Sequence, residues 1–173
     1  MLRCKRSIAA SLGAALVLTC HVEARAGQGG SPPPKIVPSR DFLPFARSAQ
    51  KAWTDAKMRS DVQTRKAQLD ALFQQKTAAA SPDPRSPEAV RYEAKRAELL
   101  ALLSAQAAAI ENLAAKAVSN DDRYFTGTML IDFGGFTRDN GLMRRGLELA
   151  LASGLVEPEN QRRFNFVLGQ ISY

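Results

Sequence analysis

The sequence predicts an all-α fold built from antiparallel helical hairpins, and three observations carry the prediction. From Asp41 onward, apolar residues recur at spacings of three and four, the period of one helix face. Strand-like alternation of useful length appears nowhere. Between Pro87 and Gly127 there is neither glycine nor proline, and the stretch is rich in alanine, the strongest intrinsic helix former.

The first helical region opens at Asp41, with Pro44 suited to an initial turn. Phe45, Ala49, Ala52, Trp53 and Ala56 form one stripe, and Val62, Leu69, Leu72 and Phe73 continue it. Arg59-Ser60-Asp61 offers a break with Ser60 or Asp61 as cap, so 43–79 reads as one helix or two. Trp53, the only tryptophan, reads as a core anchor. Ser81 to Pro87 holds three prolines and marks a turn. Ser86, Pro87 and Glu88 then supply a capping hydroxyl, a first-position proline and an acid facing the helix dipole. Val90, Ala94, Ala97, Leu100, Leu103, Ala107, Ile110, Leu113 and Ala117 predict one long Ala-rich helix in the middle of the chain. Residues 41–118 are therefore expected to form a long-helix hairpin region.

Ser119-Asn120-Asp121-Asp122 is a second start signal, with Asn120 as the expected cap and two acids at the positive end of the dipole. Adjacent helical positions point in different directions, which argues against Asp121 and Asp122 as a paired acid–base site. Asp139-Asn140-Gly141 reads as a turn, Leu142 to Ala152 as a helix, and Ser153-Gly154-Leu155 as its glycine cap. Pro158 opens a last helix with Phe164, Val167, Leu168 and Ile171 on one side.

The N-terminus carries a different message. Arg3, Lys5 and Arg6 precede an apolar run from Ile8 to Leu18, and Ala24-Arg25-Ala26 places small residues for cleavage. Residues 1–26 thus read as a signal peptide, cut before Gly27. The run is about eleven residues long, short of the roughly twenty that span a hydrocarbon core. An uncleaved anchor is one alternative. A lipoprotein modified at Cys20 is another, although Thr19 is a poor residue to precede it. Residues 27–40, with Gly27, Gly29, Gly30, Pro32, Pro33, Pro34 and Pro38, read as a flexible linker.

Composition narrows the function. The chain has 173 residues, a net charge of +7 and 24% charged residues, which excludes a polytopic membrane protein. Removing residues 1–26 takes away four basic residues and one acid, lowering the charge to +4. It also removes Cys4, Cys20 and His21, which are all the cysteine and histidine the chain has. The processed chain therefore offers no Cys/His zinc site and no histidine-dependent nucleophile. No catalytic residue, metal or cofactor is expected. Basic residues are interleaved with acids and lack alternating aromatics, which argues against nucleic acid as a partner. The expected location is periplasmic or secreted, without stable membrane insertion after cleavage.

With these elements in place, residues 119–173 resemble a tetratricopeptide repeat, a motif of 34 residues in two antiparallel helices. If Pro158 takes the near-terminal proline position, the repeat begins at Gly127, with Leu130 at the early large position. Phe133-Gly134 supplies the large–small pair, Gly141 the turn glycine, and Gly146 and Ser153 the small positions of the second helix. Leu168-Gly169 looks like the same pair in a following repeat. Thr137 and Ala150 depart from the motif, which has aromatics there. The stretch Asp121–Tyr173 also looks like exported helical-repeat proteins of Gram-negative bacteria.

The resemblance implies a non-enzymatic scaffold that binds another protein or peptide in a concave groove, or the front segment of a longer array. Candidate partner-binding residues are Phe125, Phe136, Phe164 and Tyr173, with Arg144, Arg145, Arg162 and Arg163 placed to hold acidic groups. A lone repeat cannot bury its own apolar face. The last helix is thus expected to pack on Leu100–Ala117, to face another chain, or to begin a longer array. The alternative function is a periplasmic holdase chaperone of the long-helix, basic type, which requires a trimerising β-strand body.

Overall fold

Each arm of the hairpin over 41–118 breaks once. The computed structural model describes residues 35–78 and 83–171, so the expected leader and Tyr173 lie outside the described residues. The first arm holds α1 (Leu43–Met58) and α2 (Ser60–Ala78). Arg59 between them is extended, at φ −67° and ψ 135°, so 43–79 is two helices.

The second arm corrects the expectation of a single long helix. It consists of α3 (Pro87–Leu102) and α4 (Ser104–Lys116), separated at Leu103 with φ −103° and ψ 13°. Neither glycine nor proline forces this bend. The cause is tertiary: α3 packs on α2, α4 packs on α1, and the first arm changes direction at Arg59. A straight helix would follow only one of them. Leu103 is fully buried at the bend, and Ala107 N–H still donates to its carbonyl at 2.9 Å. Apolar burial thus outweighs the helix propensity of the stretch. At the other end of α3, Ser86 Oγ accepts from Ala89 N–H at 3.1 Å, as the Ser-Pro-Glu signal requires.

α5 (Asn120–Thr137) lies against α1, α3 and α4 and pairs most closely with α6 (Asn140–Ala152); α7 (Pro158–Ile171) follows. The described residues contain helices and no strand. Ser119, not Asn120, caps α5. Its Oγ accepts from Asp122 N–H, while its own N–H donates to Asp122 Oδ2, both at 3.1 Å. This reciprocal box fills two amide positions that a lone Asn120 cap would leave open.

The main core joins Trp53, Val62, Leu69, Leu99, Ile110 and Phe133, drawn from all of the first five helices. Trp53 is 1% exposed, as expected of an anchor, and its ring lies 4.9 Å from that of Phe133. Its Nε1–H donates to Asp132 Oδ2 at 2.7 Å, and Lys57 Nζ pairs with the same oxygen at 2.6 Å. A buried indole N–H needs such an acceptor. A second cluster, Phe42, Ala46, Ala49 and Leu113, closes the start of α1 against the end of α4.

Candidate functional site

The C-terminal surface is built on a helix pair with almost no space in it. A Cβ added at Gly127 would lie 2.7 Å from both Ala150 N and Gly146 O, and one at Gly146 would meet Gly127 O and Ile131 N at 2.7 Å. A Cβ added at Gly134 would lie 2.6 Å from Met143 N. The backbones of α5 and α6 therefore touch, and only glycine permits it. Arg138 turns the chain between them in the left-handed conformation, φ 58°. Asp139 then caps α6 by accepting from Leu142 N–H at 3.0 Å, so the expected turn residues Asn140 and Gly141 are already helical.

Charged contacts brace this turn from the first hairpin. Arg96 on α3 donates to Asp139 Oδ2 at 2.9 Å, and Arg138 donates to Asp70 on α2 at 3.0 Å while lying over the Phe73 ring. Burial raises the Asp70 pKa, but hydrogen bonds and charge from Lys66 and Arg138 outweigh it and hold the carboxyl below its ordinary value.

α7 leaves this rigid base through Ser153 and Gly154, whose φ of +70° suits the position after a helix end. Val156, 4% exposed, fixes the connection, and Gln161 Nε2 donates back to its carbonyl at 2.6 Å. α7 itself packs chiefly on α6 and contains no buried residue. Phe164, Val167, Leu168 and Ile171 are half-buried along one stripe, and Phe166 is 64% exposed.

The eight candidate partner-binding residues do not form one site. Phe125 is half-buried between the two core clusters, its ring edge-on to Phe42 at 6.1 Å. Phe136 is half-buried edge-on to Trp53 at 5.2 Å. Arg145 makes a two-pronged pair with Glu111 on α4, at 2.6 and 2.7 Å, and Arg144 reaches Glu148 along its own helix. Arg162 and Arg163 are exposed on α7 and have no ion-pair partner among the described residues. Arg162, Arg163 and half-buried Phe164 are thus the candidates that α7 brings together. Tyr173 lies outside the described residues. Sequence reasoning missed Phe166, although its offset from the α7 stripe places it on the opposite side of a helix. It also missed the Trp53–Asp132–Lys57 contact, which joins positions far apart in the chain and leaves no local signal.

Among the described residues, no group of three His, Cys, Asp or Glu side chains is placed to share a metal ion. No helix of these residues is long and apolar enough to cross a membrane. Comparison with family models, curated proteins and solved structures finds no match for this chain.

Proposed function

We propose that the chain is an exported, non-enzymatic helical scaffold that binds another protein or a peptide, with α7 as its binding helix. The observation that carries this reading is that α7 buries none of its residues: its apolar stripe is half-buried, and Phe166 is 64% exposed on the opposite side. A helix that offers anchors at successive turns is the form in which helices enter a partner's groove or pair with a partner helix. Arg162 and Arg163, exposed one turn before Phe166, suit an acidic partner. A tetratricopeptide-like frame is supported by Gly134 and Gly146 at the closest backbone approach and by Ser153, which is 2% exposed. Gly141 sits inside α6 rather than in the turn, which departs from that frame.

The test replaces Phe166 with a photo-crosslinking residue in cells that make the protein, and uses Val90, 59% exposed on α3, as the control. Processed protein beginning at Gly27 in the periplasmic fraction, with a discrete adduct from position 166 and none from position 90, is the expected result. That adduct should weaken when Arg162 and Arg163 are both changed to Glu. Cytosolic protein that keeps residues 1–26, or equal labelling from both positions, would contradict the reading.

A further inference from the structure

Three of the large apolar residues exposed on the described surface gather around the start of α5, and none of them is on α7. They are Val37, Phe45 and Val118, at 59%, 49% and 79% exposure. Local contacts place them together. Val37 N–H donates to Asp121 Oδ1 at 3.2 Å, at the start of α5. Val118 immediately precedes Ser119, the cap of that helix. Phe45, in the first turn of α1, lies beneath Lys116, whose Nζ is 4.5 Å from the ring centroid, and Lys116 is two residues before Val118.

The same end holds Ser39. Ser39 donates to the buried Asp122 carboxylate twice, from N–H at 2.7 Å and from Oγ at 2.9 Å. The last residues of the expected linker are therefore fastened to α5. Lys35, Arg40 and Lys116 are exposed here, against exposed Asp41, half-buried Asp121, which is bonded to Val37, and Asp122, whose carboxylate is buried and bonded to Ser39. Basic side chains around exposed apolar ones suit the boundary of an anionic bilayer, where the apolar groups enter and the cations stay at the headgroups.

We propose that this end, formed by the starts of α1 and α5 and the end of α4, is a docking face for an anionic phospholipid surface. The inference goes beyond the binding role of α7 and uses different residues. Exposed cations beside exposed apolar side chains argue for this occupant.

The test floats the processed chain, residues 27–173, with vesicles of equal phosphatidylglycerol and phosphatidylcholine, or of phosphatidylcholine alone. We expect at least tenfold tighter binding to the anionic vesicles in low salt, largely lost in 0.5 M salt. Phe45→Ser with Val118→Ser should weaken it at least fivefold, and Lys35→Gln with Lys116→Gln should flatten the salt dependence. Met58→Ser with Val90→Ser is the matched control, since these residues are 78% and 59% exposed elsewhere. It should change binding less than twofold. Thermal melting confirms that each double variant folds. Equal binding to both vesicle types, no binding, or equal loss from both serine pairs would overturn the proposal. So would self-association without vesicles that Phe45→Ser with Val118→Ser abolishes, which would make this end a contact between copies of the chain. None of these outcomes depends on α7, so failure here is separate from failure of the scaffold reading.

Discussion

α5 buries eight of its 18 residues, whereas α7, with the cleaner apolar stripe, buries none of its 14. The difference lies in what surrounds each helix. α5 is covered by the first hairpin on one side and by α6 on another, so its buried set spans a broad face and includes Asp122, Thr126, Gly127, Gly134 and Thr137. Such a helix has little amphipathic signature because polar and small residues share its buried face with the apolar ones. α7 packs chiefly on one neighbour and keeps a sharp division between apolar and polar sides. A stripe therefore states which face is apolar. It does not state how completely that face is covered.

Substitutions on the two sides of this comparison should separate widely. Trp53→Ala empties the contact that α1 makes with Phe133 and Phe136 on α5, and should cost about 3–5 kcal/mol in denaturant unfolding. Phe166→Ala on α7 should cost less than about 0.5 kcal/mol in the same measurement, because the ring is already exposed. A similar cost for both would remove the distinction.

Glycines give the next contrast. Gly146→Ala must push apart backbones that would lie 2.7 Å from the added Cβ, and should destabilise by about 1–3 kcal/mol despite alanine's better propensity. Gly169→Ala on α7 meets nothing within 4 Å. It should stabilise α7 by up to about 1 kcal/mol, read as a higher melting temperature.

The fastening at the start of α5 should respond to acid. Burial raises the Asp122 pKa, but hydrogen bonds from Ser39 and Ser119 overcome it and hold the carboxyl below its ordinary value. The ionised carboxylate therefore adds stability above about pH 4, and that stability is lost as pH falls through the lowered folded value. Asp122→Asn should cost about 1–2 kcal/mol at pH 7, with the difference from wild type shrinking as the pH falls below about 4. A constant difference across that range would show that charge is not what matters at this position.

Much of the fold was legible because its signals are local. Ser86-Pro87-Glu88, the glycine after Ser153 and Pro158 each act within one helical turn, and each marks an observed boundary. The bend at Leu103 was not legible, since its cause is the path of the opposite arm. Ser119 and Asn120 are both residue types that cap, and only the reciprocal bond with Asp122 decides between them. For the candidate site, the sequence identified α7 as an amphipathic helix and placed Phe164 on its apolar side. It did not distinguish Arg145, paired with Glu111 on α4, from Arg162 and Arg163, because Glu111 lies 34 residues away in the sequence and leaves no local signal.

Native-state hydrogen exchange on residues 27–173 tests most directly whether α7 is only partly covered on a locked helix pair. We expect the central amides of α5 and α6 to exchange only with global unfolding, and those of α7 to open at a free energy at least about 2 kcal/mol lower. Amides of α7 as protected as those of α5 in the isolated chain would contradict this, and would mean that α7 is already held.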